Sequence, residues 1–271
     1  MNLPLPRSSL TARFKHGVLD WFASWWCIVR FSLLIFSLGL TPSSYNHNNR
    51  RAIARQLVLA SSANLLWFTV LASLISLVLI RIVVVTALSY GLSKYALEMV
   101  VRVLVLELIP LTAALFVALR CTLPDGLEFA QLRASGAFKD LPRQGISTLQ
   151  REFLPRVLAG LFSVWLLAAV SCVAALVLAY LTVYGFTPWA LAGYTRIVGH
   201  IFNPTVATIL LMKVLFFSLA VALIPLASSY RTNDALSSHR QLTSRHGLLD
   251  MVRLFSVILL IEVSSLMWNY Y

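Results

Sequence analysis

Only 12% of the 271 residues are charged and 59% are hydrophobic, with a mean hydropathy of +0.82, against roughly 25% charged in water-soluble domains. That balance excludes a soluble fold and makes the lipid bilayer the solvent to reason with. The 22 Lys and Arg against 10 Asp and Glu would suggest nucleic-acid binding on a soluble protein, but here they cluster between apolar runs, so no nucleic-acid partner is expected.

The first seventeen residues are basic and polar. The apolar stretch that follows is rich in Trp and Phe and lacks a small-residue cleavage site, so the segment is expected to stay on the protein. Residues 18–40, "VLDWFASWWCIVRFSLLIFSLGL", are long enough for a span of ~20 residues. Asp20, Ser24 and Arg30 polarise them, however, and Trp21, Trp25 and Trp26 seek the membrane interface. An amphipathic elbow helix lying in the interface is the favoured reading, with a sixth span as the alternative. Residues 41–56, "TPSSYNHNNRRAIARQ", read as a turn-forming basic loop, so residues 1–60 form a cytoplasmic N-terminal region and residues 61–271 the membrane domain.

Long apolar segments then fall at 64–92, 96–119, 157–184, 206–229 and 249–268, each near the ~20 residues that cross the hydrocarbon core. Between them, residues 120–156 and 230–247 are polar and basic. Placing residues 1–60, 120–156 and 230–253 on one side puts seven, six and four Lys/Arg there, and leaves only Lys94 and Arg196 on the other. Such asymmetry marks the cytoplasmic side. The fold class is therefore all-α: a polytopic integral membrane protein with about five transmembrane helices plus the elbow helix, N-terminus inside and Tyr271 outside. No internal repeat is visible.

Catalytic signatures are missing. There is no GxSxG, no HExxH and no GxxxxGK[ST] phosphate loop, so the chain reads as a noncatalytic subunit that does not hydrolyse ATP by itself. Cys27, Cys121 and Cys172 are isolated, and His16, His47, His200, His239 and His246 share no ligand spacing; no metal and no cofactor are expected.

Charge inside a span is costly enough to be a functional hypothesis. Arg102 and Glu107 lie in the second apolar segment, five residues apart, hence ~140° from each other around a helix and poorly placed to pair within it. Two readings stay open. Arg102 snorkels while Glu107 bonds a neighbouring helix, or both line a polar cavity. Arg81 follows a long apolar run and either snorkels at the outer interface or meets a phosphate-bearing ligand. Glu107, Arg102 and Arg81 are thus the lipid-path candidates. Ala168, Cys172, Ala175 and Ala179 form a small-residue stripe suited to close helix packing within or between subunits. In residues 127–138, "LEFAQLRASGAF", apolar Leu127, Phe129, Leu132 and Phe138 with Arg133 between them predict a short amphipathic helix that docks on a soluble partner or lies on lipid.

The stretch "QGISTLQREFLPRVLAGL", residues 144–161, resembles the signature of the MlaE/YrbE family of ABC-transporter permeases, with Gly145, Pro155, Arg156, Val157, Leu158 and Ala159 matching. Upstream, "LELIPLTAALFVALR" is similar to a second family segment, with Glu107, Pro110, Leu111, Thr112, Ala113 and Arg120 in register. "MKVLFFSLAVALI" is similar to the family's fourth span, Lys213 standing where the family has a lysine. The aromatic N-terminal segment and "RQLVLASSANLL" fit the elbow helix and the start of the first span. Ser147 and Thr148 stand where the family has Asp-Pro, and "DALSSHRQLTSRHG" replaces its loop before the last span.

The resemblance implies a multi-pass permease in the bacterial inner (cytoplasmic) membrane that moves phospholipid between that membrane and the cell envelope, maintaining lipid asymmetry. Its implied partners are separate ABC ATPase subunits, a periplasmic MCE-type lipid-binding protein and a second permease subunit, identical or different. Residues 120–156 would be the cytoplasmic coupling loop, with Leu127, Phe129, Leu132, Arg133, Phe138, Gly145 and Arg156 as ATPase-coupling candidates. Pro155 would occupy a tolerated first-turn position. The alternative, prompted by the altered loop motifs, is a non-transporting scaffold or assembly subunit of an envelope complex with the same fold.

Overall fold

The computed structural model describes residues 25–41, 47–134, 152–231 and 241–270. It is 95% helical, with no strand among the described residues. Among the described residues, five helices are long and apolar enough to cross a membrane: Ile53–Ser89, Tyr95–Leu132, Leu154–Tyr184, Pro204–Ser229 and Gly247–Trp268. They coincide with the five apolar segments of the sequence. A further apolar helix, α1, covers Trp25–Leu40 among the described residues. It buries Ile28, Phe31 and Ile35 against the bundle and leaves Trp26, Leu33 and Phe36 exposed.

The first span is part of α2 (His47–Ser89), 43 residues long and so about 65 Å, roughly twice the ~30 Å hydrocarbon core. The sequence reading of 41–56 as a loop is corrected here from His47 onward. Arg, Ala and Gln in "RRAIARQ" are strong helix formers, and extending an existing helix costs far less than starting one. Gly91, at φ 73°, turns the chain at the far end.

The second span is one helical run built of α3 (Ser93–Val100), a π segment (Val101–Leu108), α4 (Ile109–Val117), a second π segment (Ala118–Thr122) and α5 (Leu123–Ala134). The predicted end near 119 is thus wrong by more than three turns; residues 127–134 of the predicted 127–138 helix form the C-terminal part of this run, and 135–138 lie outside the described residues. Each π segment stops two residues before a proline, Pro110 and Pro124, and the π turn at residues 152–153 stops two before Pro155. The cause is common to all three. A proline ring clashes with the carbonyl four residues back and offers it no amide hydrogen, and a wider turn relieves the clash.

Pro155 sits in the first turn of α6 (Leu154–Tyr184). This helix ends at Gly185, whose φ of 66° and ψ of −148° suit only glycine. The small-residue stripe faces inward: Ala168, Ala175 and Ala179 are buried, and the Cys172 thiol lies 3.7 Å from the Val105 carbonyl oxygen. Its absent bulk lets the second span approach, so the packing is within this chain.

A 3-10 turn (Pro188–Ala190) leads into α7 (Leu191–Ile201). Tyr194 anchors this helix on α6, donating to the Leu176 carbonyl at 2.8 Å and meeting the rings of Tyr180 and Tyr184 at 5.2 and 6.2 Å. Burial, helped by Tyr184, pushes its phenol up to about 12, so the proton it donates is kept. Then come α8 (Pro204–Arg231) and α9 (Gln241–Tyr270), so residues 230–231 and 241–247 of the predicted 230–247 loop are helical, and 232–240 lie outside the described residues. The α2 helix runs along α6, α6 along α8 and α8 along α9. In the second and fourth spans 56% of the apolar window is buried, against 11% in the fifth, so α9 is the rim of the bundle.

Candidate functional site

Pro110 has no amide hydrogen for the Leu106 carbonyl four residues back. In a bilayer, where water cannot take its place, such a carbonyl needs another donor. Lys213 of α8 supplies it: its ammonium reaches the Leu106 oxygen at 3.4 Å, and the same nitrogen donates to the Glu107 carboxylate on the adjacent residue. From the other side Glu262 of α9 brings a carboxylate oxygen to 2.8 Å. The Phe217 ring, one turn along α8, lies 5.8 Å from the nitrogen. The Lys213 side chain is 2% exposed, Glu107 13% and Glu262 14%. One cation thus sits between two carboxylates and a freed carbonyl, holding three spans together.

The depth of the cluster follows from the helix rise. Glu107 is twelve residues past Tyr95, Lys213 nine past Pro204 and Glu262 six before Trp268, or about 18, 14 and 9 Å along their helices. All three start from the same end of the bundle, where Tyr90, Phe186, Trp189 and Trp268 are exposed as an aromatic belt would be. The cluster therefore lies within the hydrocarbon core, about 9 to 18 Å from the end that carries the α2–α3 turn.

Of the lipid-path candidates, only Glu107 joins it. Arg102 pairs instead with Glu98, one turn back on its own helix, at 3.0 Å, and Arg81 is exposed on α2. Sequence reasoning missed Glu262 and did not count Lys213 among the site residues. The signal was there: both are ionisable groups inside apolar runs, and the argument applied to Glu107 applies to them unchanged.

A second cluster stands at the opposite end. Arg156, in the first turn of α6, reaches Asp125 at 3.7 Å and Glu128 at 3.2 Å, and its guanidinium lies 4.2 Å from the centre of the Phe129 ring. Phe129 stacks on Phe153 at 4.4 Å, and Phe31 of α1 meets Phe153 edge-on at 5.7 Å. Nearby, Asp250 of α9 accepts from Ser228 of α8 and pairs with Arg253 at 3.5 Å. Of the predicted docking residues, Phe129 is buried, Leu132 packs on the same core, and Leu127 lies against Gly247 of α9. These apolar positions bind α5 to its own bundle. Arg133 stands in the last turn of α5, and Phe138 and Gly145 lie outside the described residues.

The described residues thus form an all-helical bundle of membrane-length spans with one ion cluster between the spans and a second, centred on Arg156, at one end. The model of the family described as Permease MlaE matches residues 53–264, from the inner part of α2 to the last turns of α9, and includes Glu107, Lys213 and Glu262. The chain belongs to the MlaE permease family. It is accordingly a multi-pass membrane permease subunit of an ABC transporter that works with ATPase partner chains. A comparison with curated proteins found no match.

Proposed function

We propose that this permease moves phospholipid between the bacterial inner membrane and the cell envelope, as a pair of permease subunits with ATPase chains on the cytoplasmic side and an MCE-type lipid-binding protein on the periplasmic side. The observation that carries the reading is the Glu107–Lys213–Glu262 cluster set among apolar helices. A phospholipid needs an apolar wall for its chains and charged partners for its headgroup at one depth, and this cluster sets charged groups at one depth among apolar helices. The 17 Lys/Arg in the sequence of residues 1–60, 120–156 and 230–253 support the cytoplasmic placement of α5 and the N-terminal region, where an ATPase would act.

The test is Glu107→Gln in the complex purified with its ATPase and reconstituted with a fluorescent phospholipid. The amide keeps the shape and a hydrogen-bond acceptor for Lys213 but removes the charge. Assembly is expected to be normal and transport to fall by about tenfold, the size of one lost charge-assisted contact. Normal transport would assign Glu107 to packing, and purification without any ATPase would favour the scaffold role instead.

A further inference from the structure

We propose that Gly126 and Pro225 form the joint through which displacement of α5 reaches α8, with Leu127 and Gly247 forming a parallel contact to α9. A methyl group on Gly126 would come within 2.8 Å of the Pro225 carbonyl oxygen and 3.2 Å of its carbonyl carbon and Cβ. Backbone therefore meets backbone, with no side chain between them to absorb a push. The next residue makes the second contact: a methyl on Gly247 would lie 3.0 Å from the Leu127 side chain. Two consecutive residues of α5 thus touch both helices whose other ends carry Lys213 and Glu262.

The place of the joint on α8 matters as much as its tightness. Pro225 lies inside that helix and gives the Val221 carbonyl no amide hydrogen, so α8 bends there at least cost. Lys213 is twelve residues away, about 18 Å along the helix, and a small tilt at the joint becomes a larger sideways shift at the ammonium. On α9 the inner end is fixed by Asp250 to Ser228 and by buried Leu254 and Ile258. Its outer part is tied by the Glu262 ion pair and is otherwise largely exposed. Pushing α5 therefore moves the two halves of one ion pair. Arg156, clamping Asp125 and Glu128 from α6, keeps α5 from sliding along its own axis instead.

The inference rests on the reading that the ATPase acts on α5, and the experiment separates the two. Spin labels at Leu211→Cys on α8 and Met267→Cys on α9, both exposed positions, report the outer separation in a background without the three native cysteines, in the complex with its ATPase chains in nanodiscs. A nonhydrolysable ATP analogue should shift the distance. Gly126→Ala should cut the shifted population about tenfold, within the range for mutations that alter coupling without touching a ligand. Gly247→Ala, which meets only the end of a flexible side chain, should cut it less, and Gly193→Ala, with open space around it, not at all. If Gly126→Ala does not assemble with the ATPase, Gly247→Ala decides. A shift that persists in every variant that assembles overturns the joint; no shift in the native complex overturns the driven-helix reading with it.

Discussion

The two ends of the bundle carry the same stoichiometry in different solvents. At one end Lys213 stands between Glu107 and Glu262; at the other Arg156 stands between Asp125 and Glu128. The lysine is 2% exposed and its carboxylates 13% and 14%, whereas the arginine is 16% exposed and its carboxylates 27% and 55%. Water reaching Glu128 screens its pairing, and such contacts are worth ~0–1 kcal/mol. Inside the spans nothing screens, so each group there depends on the others being present. The choice of cation fits as well: the compact ammonium takes three acceptors from two other spans, and the planar guanidinium lies against the Phe129 ring while reaching two acids of one helix.

The largest expected effect is therefore at Lys213. Lys213→Ala leaves two buried carboxylates and the Leu106 carbonyl facing one another, which should cost about 3–5 kcal/mol and appear as loss of the folded monodisperse peak in fluorescence-detected chromatography. The triple change Lys213→Met, Glu107→Gln, Glu262→Gln removes every charge together and should recover most of that loss, because a buried ion cluster replaced whole is often near neutral. A triple variant as unstable as Lys213→Ala would mean that the cluster is held by shape rather than charge, and the contrast between the two ends would collapse.

At the other end the same operation should be mild. Arg156→Ala loses partly exposed pairs and a ring contact, together about 1–2 kcal/mol, seen as a modest fall in the thermal midpoint of the purified complex. The ionic share must also weaken with salt, since exposed charges are screened beyond ~10 Å at 0.1 M. The gap between native and Arg156→Ala should narrow from low to high salt, whereas the Lys213→Ala deficit should not move. Equal salt dependence at both ends would show water reaching the outer cluster.

Much of this fold could be read from the chain because the bilayer demands long apolar runs, and all five spans sit where those runs sit. What failed has physical reasons. Residues after His47 and around 120–134 are polar enough to read as loops, yet they continue helices already paid for by nucleation within the membrane. The apolar pattern at Leu127, Phe129 and Leu132 was visible, but amphipathicity says that one face is covered, not by what; here the bundle covers it. Glu107 was legible as an intramembrane charge, while its cation lies 106 residues away on another helix, a distance that no local pattern spans. Pro110 was read only as part of a motif. Its missing amide, and hence the carbonyl that draws Lys213, could have been inferred from the residue alone.

The smallest effect sets the zero of the scale. Arg102 and Glu98 form a one-turn pair at 3.0 Å, 34% and 38% exposed, on the same span as Glu107 but touching neither cluster's cation. Pairs at this spacing contribute only ~0.3–0.5 kcal/mol, and Arg102 must in addition find a polar surrounding at its depth, which its length lets it do by snorkelling. If that is its whole role, Arg102→Gln should change the thermal midpoint by less than Arg156→Ala does and leave lipid transport in reconstituted vesicles unaltered. Arg102 lies five residues before Glu107 in the same π segment, but its guanidinium turns back to Glu98 and away from Lys213. A transport loss without a stability loss would place a second charged group on the lipid route, and the polar path would then extend beyond the three residues that meet at Lys213.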